Sequence, residues 1–194
     1  MHLLRATPGT KDSPITVYMV HLVDLMGRAA PILIIHKKQR ATAKYAASNA
    51  IVGAFKIFEA GCNHVQIHSY TSITPYNAMH HDICELALQN NATLILVPSH
   101  KKGVEGYYNV NMTNLHVLDQ APCSVGILVD RSQNHGNSPQ SLGLINSVAV
   151  LFLGGADARE ALAYADRMTD KPGINLTLVH FISAENEVNE ETDF

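Results

Sequence analysis

HVLDQAPCSVGILVDR, residues 116–131, is the stretch that decides the fold. An amphipathic turn of helix runs into Ala121-Pro122. A cysteine and an apolar strand follow, and Asp130-Arg131 closes them. Three readings compete. Cys123 is a nucleophile, or the segment closes a nucleotide site, or it is a buried strand led in by its helix. A nucleophilic cysteine needs a neighbouring base and an electropositive pocket. Ala121, Ser124 and Val125 supply neither, so the core reading of Cys123 is preferred.

Upstream of this stretch the same helix-into-strand pattern recurs. Residues 15–23, ITVYMVHLV, follow Pro14 and read as a strand covered on both faces, since apolar residues run nearly unbroken. Residues 41–60 read as a helix with Ile51, Ala54, Phe55 and Phe58 on one face. Gly61 is expected to end it in a left-handed conformation. Residues 64–70, HVQIHSY, alternate as a strand. Thr74-Pro75 opens another helix, with Thr74 expected to cap it, and Met79, Ile83 and Leu86 form its buried stripe. Asn90-Asn91 ends that helix, and residues 93–97, TLILV, are a buried strand. A polar loop at 98–110, a short helix near 112–119 and the strand 124–129 complete the run.

Strands that alternate with helices imply parallel pairing through right-handed crossovers. The fold class expected is therefore α/β, a parallel sheet with flanking helices. Residues 131–143 read as a linker by composition. A strand (145–153), a helix (157–169) and a strand (174–182) follow, and residues 184–194 form an acidic tail read as disordered. The domains expected are 1–130, then 144–183 after the linker.

The two parts echo one another. Val20-His21-Leu22-Val23 matches Val179-His180-Phe181-Ile182. Arg5-Ala6-Thr7 with a Pro-Gly turn matches Arg167-Met168-Thr169 with another. On this repeat the first unit lacks its first strand and the second stops after two. A parallel sheet short of one strand leaves an unpaired edge. The strand at 145–153 is one candidate to fill it. A second copy of the chain, forming a homodimer, is the other.

Composition excludes several classes. The 194 residues are 46% hydrophobic and 16% charged, which suits a packed core. Net charge is −3, so no basic field favours nucleic acid. No apolar run reaches the roughly 18 residues of a membrane helix, and MHLLRATPGT is too polar for a signal peptide. Three cysteines read as reduced thiols. The Asn-X-Thr tripeptides at Asn91, Asn111 and Asn175 are read as chance matches to the glycosylation pattern.

Candidate chemistry is concentrated in three places. The loop 98–112 follows a buried strand, where doubly wound folds place ligands. Ser99, His100, Gly103 and Gly106 are the candidate nucleotide-binding residues, because Gly103-Val104-Glu105-Gly106 lets backbone N–H groups approach a phosphate. An ordinary surface loop with turn glycines is the competing reading. His80 with Cys84, or His81 with Glu85, stand one helical turn apart, but no further ligands are announced for a metal. The eleven histidines raise the prospect of pH sensing, with a change expected between about pH 5.5 and 7.5. His21 and His180 are read as satisfied core residues, and His135 falls in the linker. Asp157 and Glu160, after Gly154-Gly155, look like a capping pair; the two glycines are only a weak phosphate signal. No catalytic triad or carboxylate pair stands out, so the chain is not read as an enzyme, and no cofactor or metal is assigned.

MHHDICELA, LILVPSHKK, VLDQAPCSVGILVDR, HLVDLMGRAAPILIIHKK and VLFLGGADAREALAYADRM resemble the cytosolic C-terminal region of plant cation/H+ exchangers, the monovalent cation:proton antiporter-2 family. The resemblance covers nearly the whole chain. It implies a regulatory tail on a potassium–proton antiporter, at the cytosolic face of a plant endomembrane or plasma membrane. The implied partner is a transmembrane antiporter domain of about a dozen helices, absent from this chain. Alone, the chain would be soluble and move no ion. It is read as part of a longer protein.

The resemblance also implies a universal-stress-protein-like fold (adenine nucleotide alpha hydrolase-like), one incomplete unit and the start of a second. Nucleotide-binding universal stress proteins carry Gly-x2-Gly, a spacer of about nine residues, and then Gly-Ser or Gly-Thr. Gly103 and Gly106 fit the first part. Asn111-Met112 stand where Gly-Ser would be, with only four residues between them and Gly106. The strand that supplies an acidic adenosine contact is absent from the first unit. Both departures argue against ATP. A stand-alone nucleotide binder and an inactive fragment are the rival readings.

Overall fold

The computed structural model describes residues 2–25, 30–36, 46–99, 107–129 and 145–182. Contacts divide the chain into two compact units. One comprises residues 16–136; the other joins residues 1–15 to 137–194. The unit read from sequence as 1–130 thus yields its first fifteen residues to the C-terminal body.

In the unit 16–136, β1 (Ile15–Asp24), β2 (Ile32–Ile35) and β3 (Val65–Thr74) form one sheet in the order β1-β3-β2. β2 runs antiparallel to β3, with Ile32 opposite Ile73 and Ile35 opposite Tyr70. This strand was not expected, and it corrects the all-parallel reading. Its four residues are mostly exposed, and Ile32, Leu33 and Ile35 lie on the sheet's rim. A run that short, just after a proline, gives no usable periodicity.

β3 extends four residues past the expected end. Its polar half, Ser69 to Thr74, is buried on both faces. Hydroxyl side chains tolerate this because they find partners. His36 Nε2 lies 2.9 Å from Thr71 Oγ1, and Ser72 Oγ donates to the Asp82 carboxylate. Thr74 therefore ends a strand and caps no helix. A 3-10 turn at Tyr76–Ala78 leads instead into α3 (Met79–Gln89), and neither start has a side-chain cap.

α2 (Ala46–Ala60) buries Ser48, Val52 and Phe58, while Ala54 is exposed. Of the expected stripe Phe58 is buried and Ile51 and Phe55 are half-buried, and the buried face also takes in Ser48, whose Oγ lies 2.9 Å from His21 Nδ1. Gly61 is not left-handed. The helix closes by bonds from Gly61 N–H to Phe58 O and from Cys62 N–H to Glu59 O, and the positive φ falls on His64, at 58°.

β4 (Leu94–Pro98) and β5 (Ser124–Leu128) form a second, parallel pair, with α4 (Tyr107–Gln120) between them in the chain. Ala87, Ile95, Val97 and Val117 are its buried centre, and Ile83, Cys123 and Val125 pack against them. Of the expected stripe on α3, Met79 and Leu86 are buried and Ile83 is half-buried.

The other unit holds α1 (His2–Ala6), β6 (Ser147–Phe152), α5 (Gly155–Thr169) and β7 (Asn175–His180). β6 pairs with β7 in parallel, Val148 opposite Leu176. Ala6, Met168 and Ile174 form the core, with Leu3 and Tyr164 against it. Arg167 donates to the Ser13 carbonyl at 2.7 Å, and Lys171 to the Arg5 carbonyl at 2.7 Å. The two threonines matched by the repeat behave alike: Thr7 Oγ1 bonds back to Leu3 O, and Thr169 Oγ1 to Asp166 O.

α5 begins two residues before its expected start. Gly154 is its N-cap at φ 88°, and no side chain caps it. Asp157 lies inside the first turn, where the helix dipole favours an acid, so the capping pair is corrected to a charge effect.

Candidate functional site

The C-terminal ends of β4 and β5 form the site that sequence spacing singles out. Ser99 N–H donates to Leu128 O at 2.9 Å and prolongs the parallel ladder by one step. Asn114, on α4, donates its side-chain amide to Pro98 O at 2.9 Å. Asn114 and Thr113 are both buried, unusual for two adjacent polar residues on a helix. Their burial fixes α4 against the end of β4, next to Ser99.

Of the four candidate nucleotide residues, Ser99 takes this place. His100, Gly103 and Gly106 lie outside the described residues. α4 starts at Tyr107, five residues before the helix read from sequence. Asn111 and Met112, aligned with a phosphate-binding Gly-Ser, are therefore helical residues within α4 and not part of a loop.

Cys123 packs on the β4–β5 core, and burial pushes its thiol up, as it does that of Cys84. A thiol held protonated is a poor nucleophile, which fits the core reading. Among the described residues no three His, Cys, Asp or Glu side chains are placed to hold a metal ion. His80 and Cys84 therefore find no third ligand there.

Sequence reasoning missed a cluster of histidines. His80 and His81, on α3, place their ring centres 4.0 Å apart, and His80 lies 4.8 Å from His116 on α4. His80 is only 5% exposed, and its Nδ1 is buried with no hydrogen-bond partner. Burial and the two neighbouring imidazoles hold its pKa below the ordinary value. The signal in the sequence was the pairing of His80-His81 with His116, in two helices that flank one strand.

The remaining histidines differ. His21 is half-buried and bonded to Ser48. His180 is exposed, edge-on to Phe152 at 5.2 Å, and is no core residue. His135 lies outside the described residues.

With this geometry in place, comparison with known proteins is direct. Residues 17–133 match the plant cation/H(+) antiporter domain, and residues 145–194 match the C-terminal domain of plant cation/H(+) antiporters. The chain belongs to the plant cation/H(+) antiporter family. It is 41% identical to cation/H(+) antiporter 15 of Arabidopsis thaliana over 97% of this chain and 24% of that protein. It is 41% identical to cation/H(+) symporter 13 of the same plant, over 93% of this chain and 23% of that one. Cation/H(+) antiporter 3 is 37% identical over 99% of this chain and 26% of its own length. The chain thus spans about a quarter of the relatives it matches. No solved structure matches it. Among the described residues no helix is long and apolar enough to cross a membrane.

Proposed function

We propose that this chain is a regulatory tail of a plant potassium (cation)/proton antiporter, held at the cytosolic face of an endomembrane or the plasma membrane. The observation that carries the reading is the match itself: both family models fall on this antiporter family and together cover residues 17–133 and 145–194. Transport belongs to the relatives as whole proteins, of which this region is a quarter. The absence of a membrane-crossing helix among the described residues is in keeping with a region that controls transport and does not carry the ion. Control of cation and pH homeostasis is the role this assigns.

Two universal-stress-like units are the architecture we assign, in keeping with the alternating strands and helices and the parallel β4–β5 and β6–β7 pairs. The test is potassium-limited growth of cells that depend on the full-length antiporter, compared with cells whose antiporter lacks this region. The reading expects growth to persist but its dependence on external pH and potassium to change. Identical growth curves with equal protein levels overturn it.

A further inference from the structure

His80 is a buried, polar side chain that the proposed function does not otherwise use. Its surroundings are unusual in what they lack. The rings against it are His81 from its own helix and His116 from α4. The nearby acids are engaged elsewhere: Asp82 accepts from Ser72, and Glu85 accepts from Gln89 at 2.9 Å. From β3 and the 3-10 turn, the titratable groups are His68, Tyr70 and Tyr76. His68 is stacked on Tyr18, 5.2 Å away. On α3 Cys84, and on α4 Asp119, complete the described titratable groups; the charges bearing on His80 are those of His81 and His116, both of its own sign. A proton on His80 would be poorly hydrated and would face two imidazoles that repel it.

We propose that His80, His81 and His116 form a proton-operated latch that joins α3 to α4 in the neutral state and lets them part on acidification. The closed pair excludes the proton, whereas an opened pair accepts it in water, so falling pH drives the pair open. His116 neighbours Val117, which is fully buried between α4 and the β4–β5 pair. Opening the latch therefore loosens the packing of α4 on β4, at the strand end that carries Ser99. The inference deepens the regulatory reading by naming a proton as the signal.

The sign is fixed by linkage. Burial and like charge lower the folded value of His80. The open state then binds more protons below its ordinary value of about 6.5, and closure weakens as pH falls. At pH 5.5 the limit is about a tenfold shift toward the open pair, one pH unit below that value.

The test is amide hydrogen exchange on the full 194-residue chain at pH 7.5 and 5.5, read as protection factors. Wild type should lose up to about tenfold protection in α3 and α4 at pH 5.5, while α5 does not change. His80→Phe should sharply reduce the pH dependence, and His116→Gln should reduce it less. Should His80→Phe fail to fold, His116→Gln with His81→Gln decides: a loss of wild-type size in that double variant overturns the latch. So does equal protection of α3 and α4 at both pH values in wild type. No transport is measured, so failure of the latch and failure of the regulatory reading are distinguishable.

Discussion

The side-chain amide of Asn114 donates to the carbonyl of Pro98 at 2.9 Å and ties the middle of α4 to the end of β4. Proline offers no N–H to the sheet at that point, and its carbonyl takes a side-chain partner. Asn114→Ala removes a part-buried hydrogen bond and should cost about 0.5–1.5 kcal/mol. Urea denaturation followed by circular dichroism measures it. A change below about 0.5 kcal/mol, the size expected of surface positions, would show that the bond contributes nothing.

Val117 and Leu118 are adjacent on α4 and opposite in environment. Val117 is 0% exposed and Leu118 48%. Val117→Ala removes two carbons, worth about 0.8 kcal/mol each, and leaves a cavity. A loss of about 2–3 kcal/mol is expected. Leu118→Ala should stay within about 0.5 kcal/mol. Equal losses would mean that α4 does not present this face to the β4–β5 pair.

Ala6 is 1% exposed against Met168 and Ile174. Ala6→Leu overpacks that site and should cost about 1–3 kcal/mol. Hydrogen exchange should rise in α1, α5, β6 and β7 and not in α3 or α4. A rise throughout would refute the assignment of residues 1–15 to the C-terminal unit.

His21 and His36 should make the unit 16–136 acid-sensitive by a second route. Burial lowers both, His36 adds to the effect on His21, and Lys56 to that on His36. The unfolded chain takes these protons first, so their contribution is full above about pH 6.5 and falls away below it. Melting of His21→Gln and His36→Gln at pH 7.5 and 5.5 should show a smaller acid-induced drop in Tm than wild type. An unchanged drop would remove these residues from the account.

Much of the fold was legible in the sequence because it rests on periodicity. Residues 93–97, 124–129 and 145–153 are apolar runs bounded by turn residues, and each lies over a strand, β4, β5 and β6. What escaped was polar or short. The buried half of β3 is Ser-Tyr-Thr-Ser-Ile-Thr, and its burial depends on His36 and Asp82, partners 35 and 10 residues away. Local pattern carries no trace of such partners. β2 is four residues at a rim. Gly61 looked like a helix stop, but His64 took the left-handed step. As for the site, Ser99 could be placed, while the histidine cluster needed the packing of α3 on α4 to bring His116 to His80.

The family was legible for a different reason. Whole motifs such as APCSVGILVDR carry it, and the match over residues 17–133 bears it out. The departures from nucleotide binders lead to one more expectation. Calorimetry with ATP should show no micromolar binding, and Gly103→Ala with Gly106→Ala should change nothing. Micromolar binding lost in that variant would instead favour a nucleotide-dependent tail.

The central claim is that this region governs an antiporter. It is tested most directly by potassium-driven proton flux in vesicles holding the full-length protein, or the same protein without this region, from pH 5.5 to 7.5. The account predicts that both transport and that the two pH profiles differ. Superimposable profiles would contradict it, as would complete loss of transport from a correctly inserted protein lacking the region.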